Sequence, residues 1–339
     1  MSKPRIVVAL TTFNGQQHLE EQLDSISRQV LAPDAVYVSD DSSTDGTWGL
    51  LQGWASRQTF PVHLHRNQCN MGVVANMEAL LLRATGGDVV VLCDQDDRWD
   101  DQKLTAVAEA FDRRPAALWL SDGHLMDELG HLYPSQTLWS GVHLSTENLL
   151  TKEGQLHERG LRRLVLGMTV TGAAMAVRSD VVKAALPFPS VMHGAHPPFL
   201  HDGWLALFAA LSGDVVMEPR QLLIYRQHQS QYTAMSLVAD GSTGVRPAEP
   251  TDRETVIMAE LSRLDLVLEA VDGRDPRTFS ARRIAFLRRL RRFLAVRQQP
   301  TTSAILVRAA KGDYSLFANG IRTCGLDLLR TRTRRSTHL

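Results

Sequence analysis

The chain has 339 residues, with 37 Lys+Arg against 37 Asp+Glu and an apolar fraction of 44%, enough to bury a substantial core as one large domain or two smaller ones. Its three cysteines, Cys69, Cys93 and Cys324, form no even framework and no metal-ligand spacing, which excludes a disulfide scaffold and points to a reducing cytosol. No apolar run approaches the roughly 20 residues of a transmembrane helix, and Met1-Ser2-Lys3-Pro4 leads into a strand without the apolar stretch of a signal peptide.

Strand-like runs at Arg5–Thr12, Ala35–Ser39, Val62–Leu64, Val89–Cys93 and Ala117–Ser121 alternate with helical patterns such as Leu19, Leu23, Ile26 and Leu80, Leu81, Ala84. Near-continuous apolar strands interleaved with helices predict an α/β fold whose mostly parallel central sheet is covered by helices. From Tyr133 to Arg163 the text is irregular and reads as a loop shaping an acceptor pocket. Met168–Val177 reads as a strand containing Gly172, followed by a short helix from Ser179. Asp202 reads as the cap of a helix running to Ser212 and ended by Gly213. A strand pair, Val215–Glu218 and Leu222–Arg226, leads to His228. Residues 239–252, rich in Gly, Pro, Ser and acids, read as a linker, and helices follow, including the Arg-rich Ser280–Arg297.

In such sheets ligands bind beyond the carboxyl ends of the strands. Polar clusters stand there three times: Thr11-Thr12-Phe13-Asn14, Asp40-Asp41-Ser42-Ser43 and Asp94-Gln95-Asp96-Asp97. Three clusters on one sheet edge predict a site. The last follows the apolar run Val89–Leu92, so Asp94, Asp96 and Asp97 repel one another unless a cation joins them. Hard oxygen ligands of this kind suit Mg²⁺ or Mn²⁺. The alternative is an acidic turn capping the helix that starts near Asp100 and Asp101.

Five pieces in order resemble family-2 glycosyltransferases with the GT-A fold: Thr12-Phe13-Asn14; Asp40-Asp41-Ser42-Ser43-Thr44-Asp45-Gly46-Thr47; Asn70-Met71-Gly72 with Asn76; Asp94-Gln95-Asp96-Asp97; and His201-Asp202. The form Asp-Gln-Asp-Asp-x-Trp, with His201-Asp202-x-Trp204 and Tyr225-Arg226-Gln227-His228, is most similar to bacterial rhamnosyltransferases of that family. The resemblance covers roughly residues 4–230 and implies a GT-A domain over residues 1–238, with a nucleotide-binding half (1–122) and an acceptor half (123–238). Beyond the linker, residues 253–339 would form a basic helical extension.

The resemblance also implies roles. Asp96 would bind the metal, with Asp94 near the ribose or the metal. Asp41 would accept the N–H of the base, and Thr11, Thr12, Asn14 and Gln95 would line the nucleotide site. Asn76 would hydrogen-bond the nucleotide or be an ordinary polar helix residue. Asp202 would be the general base of an inverting single displacement, its alternative a helix cap. The family more often has Glu-Asp there, which leaves the role of His201 open beside the substrate. His228 would supply a third metal ligand or be an ordinary surface or core residue. Trp99 and Trp204 would stack on sugar faces or simply pack.

The function implied is a metal-dependent inverting transfer of a sugar, rhamnose from dTDP-rhamnose, onto a cell-surface polysaccharide or lipid-linked acceptor. The rivals are the same fold using a UDP-hexose and an inactive nucleotide- or glycan-binding protein.

The balanced charge conceals a division: residues 281–339 hold 14 of the basic and 2 of the acidic residues, leaving 23 and 35 in residues 1–280. Such asymmetry suggests a basic tail with an anionic partner. In residues 280–297, Phe286, Leu287, Leu290, Phe293 and Leu294 recur at helical spacing beside Arg282, Arg283, Arg288, Arg289 and Arg292. A basic amphipathic helix of this kind lies in an anionic membrane surface, or packs its stripe into the fold. The first reading places a cytoplasmic enzyme peripherally on the inner membrane. No reader motif for nucleic acid is present.

Overall fold

In a computed structural model, the structure describes residues 3–84, 86–165, 170–194, 197–228, 231, 253–318 and 320–336. The chain divides into two compact units, Met1–Arg246 and Pro247–Leu339. The predicted linker over 239–252 lies outside the described residues.

The first unit opens as the alternation requires: β1 (Ile6–Thr12), α1 (Leu19–Ser27), β2 (Ala35–Asp40), α2 (Thr47–Ala55), β3 (Val62–Arg66), α3 (Val73–Leu81) and β4 (Val89–Cys93). Strands β3-β2-β1-β4 lie side by side and parallel. β4 is buried at every position and β1 at all but Thr11. That is why their text is apolar throughout rather than alternating: helices cover both faces.

A two-residue strand β5 (Arg98–Trp99) and α4 (Lys103–Arg113) follow, then β6 (Ala116–Met126). β6 runs on past Ser121 and through the expected boundary at 122. The segment read as a loop is instead a strand and three helices: β7 (Leu132–Thr137), α5 (Leu138–Gly141), α6 (Thr146–Leu149) and α7 (Glu158–Val165). α5 and α6 are single turns, too short to show a period, and each is held by a capping box, from Thr137 and Ser145.

The strand predicted from Met168 begins only at Met175, as β8 (Met175–Arg178). Gly172–Ala174 before it form a 3-10 turn, and Met168 lies outside the described residues. After α8 (Ser179–Ala185) comes α9 (His201–Ser212), whose residues are buried at every position except Asp202 and Ser212, as expected of a helix that is apolar all round. The predicted strand pair is one strand, β9 (Asp214–Arg226), with register shifts around Ser121 and Asp122 of β6 where Pro219 breaks the ladder. The sheet continues β4-β8-β6-β9-β5, with β6–β9 parallel and the pairs of β8, β7 and β5 antiparallel.

The second unit is helical: α10 (Arg253–Asp272), α11 (Ala281–Gln298), α12 (Thr302–Ala310), α13 (Asp313–Phe317) and α14 (Gly320–Ser336). It overturns the membrane reading of the α11 stripe. Phe286, Leu287, Leu290, Phe293 and Leu294 are all buried, and Phe293 packs on Tyr314 and Phe317 of α13. Arginines of the same helix pair within the unit, Arg288 with Asp272, Arg289 with Asp313 and Arg291 with Asp265. Burying several large apolar side chains, at about 1.5–3 kcal/mol each, makes this stripe the core of its own bundle.

Candidate active site

The carboxyl ends of β1, β2 and β4 carry the three predicted clusters onto one edge. In the second cluster Asp40 is fully buried and acts inward. Its carboxylate accepts from Thr12 Oγ1 (3.0 Å), Ser43 Oγ (2.5 Å) and Ser43 N–H (3.0 Å), and it pairs with Arg66 at 3.3 Å. Thr12 is therefore tied to Asp40, while Thr11 remains half-buried at the strand end. Asn14 bridges the loops: its N–H donates to Ser43 Oγ (2.9 Å) and its Oδ1 accepts from Thr44 N–H (2.8 Å). Its φ of 46° is one that asparagine tolerates better than most residues.

Asp41 organises the loop before α3. It accepts from Asn67 Nδ2 (2.8 Å), Met71 N–H (2.9 Å) and Gly72 N–H (2.9 Å). Gly72 sits at φ 84°, where a side chain would be strained. Asn76 is buried, donates to the Ser39 carbonyl (3.1 Å) and accepts from Asn67 (3.0 Å). Its amide is spent on the fold, so Asn76 supports the loop rather than reaching outward.

Gln95 clamps the first loop, accepting from Phe13 N–H (2.8 Å) and donating to the Phe13 carbonyl (3.0 Å). The acidic-turn alternative fails for Asp94–Asp97, because α4 starts at Lys103 and the turn before it uses Asp100, whose Oδ1 accepts from Gln102 N–H. Asp97 is buried and accepts from Arg226 N–H (3.0 Å). Burial, then Asp96 and Asp94, push its pKa well above the carboxylate range. Asp94 is pushed up to about 7 by burial first, then by the charges of Asp96 and Asp202. The last influence brings Asp202 into the same site.

Asp202 is not the helix cap. α9 begins at His201 after Leu200, and Asp202 stands second in the helix, accepting from Gly172 N–H (3.2 Å) and Gly203 N–H (2.7 Å). Gly172 packs closely on this pair: an added Cβ would lie 3.3 Å from His201 Nε2, which would have to give by a few tenths of an ångström, and 3.4 Å from Asp202 Cβ, an ordinary contact. His201 is buried, which lowers its pKa against the opposing pull of Asp202 and keeps the ring neutral. The two tryptophans face the core and not a sugar. Trp204 is fully buried with its indole N–H on the Ala185 carbonyl (3.0 Å), and Trp99 is buried under the Lys103 ammonium, 4.4 Å from the ring centroid.

His228 Nε2 lies 2.8 Å from Asp96 Oδ2. Directly hydrogen-bonded here, an imidazole nitrogen and a carboxylate oxygen side by side are donor types that could hold a small divalent cation. Among the described residues no group of three or more His, Cys, Asp or Glu is arranged to hold a metal.

Three residues that sequence reasoning left without a role complete the site. Lys103 is fully buried and donates to the Ala173 carbonyl, next to the glycine that holds Asp202. Burial brings its pKa down to about 8 while Cys93, Asp97 and Asp94 pull it up. Arg226 braces the carboxylate turn through the Asp96 carbonyl (2.9 Å), the Glu128 carbonyl (3.3 Å) and Glu21 (2.9 Å). His18, also buried, lies with its ring centroid 5.2 Å from that of His228. The only textual sign of Lys103 is a lysine on the apolar face shared by Leu104 and Val107.

The model of the glycosyl transferase family 2 matches residues 7–177. The chain belongs to that family. An uncharacterized protein from Mycobacterium tuberculosis is 25% identical over 227 residues, 64% of this chain and 57% of that protein. The abequosyltransferase RfbV of Salmonella typhimurium is 30% identical over 119 residues, 34% of this chain and 35% of that protein. The chain thus spans little more than half the length of the first of these curated relatives. Among solved structures, S. aureus TarS in complex with UDP superposes with a TM-score of 0.53 at 15% identity, covering 93% of this chain and 75% of that one. That likeness shows the fold, the GT-A type.

Proposed function

We propose that this family-2 glycosyltransferase moves a sugar from a nucleoside diphosphate to a glycan hydroxyl in polysaccharide biosynthesis, with inversion at the transferred carbon. One observation carries the reading: Gly172, whose N–H holds the Asp202 carboxylate, packs against Leu92 of β4, its Cβ position 3.8 Å from Leu92 Cδ1, and this sets Asp202 beside the strand end that bears Asp94. A base and a diphosphate-binding edge thus share one site. Asp202 takes the proton of the acceptor hydroxyl as it attacks. The Thr11–Asn14 and Asp41 loops border the nucleotide, and Gln95 fixes the first of them. Asp96 and His228 would hold a Mg²⁺ or Mn²⁺ ion, which when bound supplies positive charge to the leaving diphosphate. The buried Arg226 and Lys103 keep the carboxylates in place.

The donor we favour is dTDP-rhamnose, supported by the Asp-Gln-Asp-Asp-x-Trp and Tyr225–His228 patterns. A panel of nucleotide sugars with Mg²⁺ or Mn²⁺, read by thermal stabilisation, tests it, since a ligand that binds the native state raises its melting point. Stabilisation by dTDP-rhamnose above UDP-hexoses is expected. A preference for a UDP-hexose overturns the donor, and no metal-dependent stabilisation by any nucleotide sugar overturns the site.

A further inference from the structure

The helices α12 and α14 present an outer face opposite in polarity to that of an ordinary amphipathic helix. In α14, residues four apart line up in rows. Ile321 and Leu329 share one outward row, Arg322, Leu326 and Arg330 the next, with Ile321 92%, Leu329 57% and Leu326 51% exposed. The opposite side turns polar groups inward. Asp327 is buried between Arg253, Arg297 and the Tyr314 hydroxyl, and Thr331 meets Thr302 of α12 at 3.2 Å. α12 repeats the pattern, exposing Leu306 and Val307.

The exposed charges that α12 and α14 themselves contribute have one sign. From residue 281 onward the only acidic side chains are Asp313 and Asp327. Both are buried in ion pairs, Asp313 with Arg289 and Arg308, Asp327 with Arg253 and Arg297. Arg322, Arg330 and Lys311 are exposed beside the apolar residues, so α12, α14 and the turn after α12 bring cations and hydrocarbon to the outer face and no exposed carboxylate of their own.

We propose that this face of α12 and α14 docks on an anionic phospholipid surface. Ile321, Leu326 and Leu329 enter the boundary between headgroups and acyl chains, and the basic residues meet the lipid phosphates. Among the described residues no helix is long and apolar enough to cross a membrane, so this contact lies on the surface. Pairing with a second copy through the same face would bring like charges together, which disfavours it. The surface differs from the α11 stripe that the text nominated, and it is independent of the donor chemistry.

Flotation of the full chain with phosphatidylcholine vesicles, with and without phosphatidylglycerol, tests the proposal. Binding is expected only with the anionic lipid and should weaken with salt. Ile321→Ser/Leu326→Ser/Leu329→Ser changes exposed positions, so its circular dichroism should match the wild type while vesicle affinity falls on the order of a hundredfold. Arg322→Glu should cost roughly thirtyfold, as a reversed charge near such a surface loses about two charge contributions. No flotation with anionic vesicles at low salt overturns the proposal. So does triple-serine binding equal to wild type, or self-association that the triple variant abolishes without any lipid binding.

Discussion

Replacing Asp94 by Asn should make the first unit more stable at alkaline pH, at the expense of function. The Asp94 pKa is pushed up to about 7 from the ordinary 3.8, because burial and the charges of Asp96 and Asp202 oppose its ionisation. At 1.36 kcal/mol per unit, that difference bounds the cost of the ionised form at about 4 kcal/mol. The sign follows from proton counting. Between about pH 4 and 7 the folded protein keeps a proton that the unfolded chain has released, so the stabilisation is fully present below pH 4 and is lost as pH rises through 7. Asp94→Asn removes the titration and should exceed the wild type by about 2–4 kcal/mol at pH 8 while matching it near pH 4. A divalent cation should offset part of the wild-type cost and stabilise the wild type more than the variant. All six tryptophans lie before residue 205, so their fluorescence during urea unfolding reports the first unit alone. An Asp94→Asn protein no more stable than wild type at pH 8 in EDTA would refute the reasoning.

Lys103→Met should keep the packing on Trp99 but strip the counter-charge from Asp94 and Asp97, costing about 3 kcal/mol at pH 7 in the same unfolding assay. Lys103→Arg should not restore stability, since the site is fully buried, and full rescue by Arg would show that charge alone matters. Gly172→Ala should press on the His201 ring, 3.3 Å from the added Cβ, and through it shift Asp202, lowering kcat about tenfold with little change in donor KM; unchanged kcat would separate that turn from Asp202. His228→Ala should weaken Mn²⁺ binding by calorimetry, and an unaltered titration would remove His228 from the metal pair.

Much of the candidate site along β1, β2 and β4 was legible because it is local. The apolar runs of β1 and β4 are buried on both faces, and each is followed directly by its polar cluster. Asp202 was legible as a motif, but its nearness to Asp94 depends on α9 and the Gly172 turn meeting across the sheet, which no spacing encodes. Lys103 and Arg226 were missed because a buried cation reads like any surface one until its surroundings are known. Trp204 misled for the converse reason: an aromatic two residues after Asp202 turns to the other side of its helix, into the core. α5 and α6 are too short to carry periodicity. The α11 stripe was read correctly as amphipathic, yet its partner proved to be α13 and its neighbours, while α14 exposes the residues that a simple pattern would have buried.

The most direct test of the account is sugar transfer by Asp202→Asn, measured at saturating donor and acceptor alongside calorimetric donor binding. The amide keeps the shape of the carboxylate and can still accept from Gly172 N–H, but it cannot take a proton. Donor affinity unchanged, with transfer reduced by about 10²-fold or more, is the result expected of a general base. Transfer at a near-native rate would contradict the assignment of Asp202 and, with it, the reading of this site.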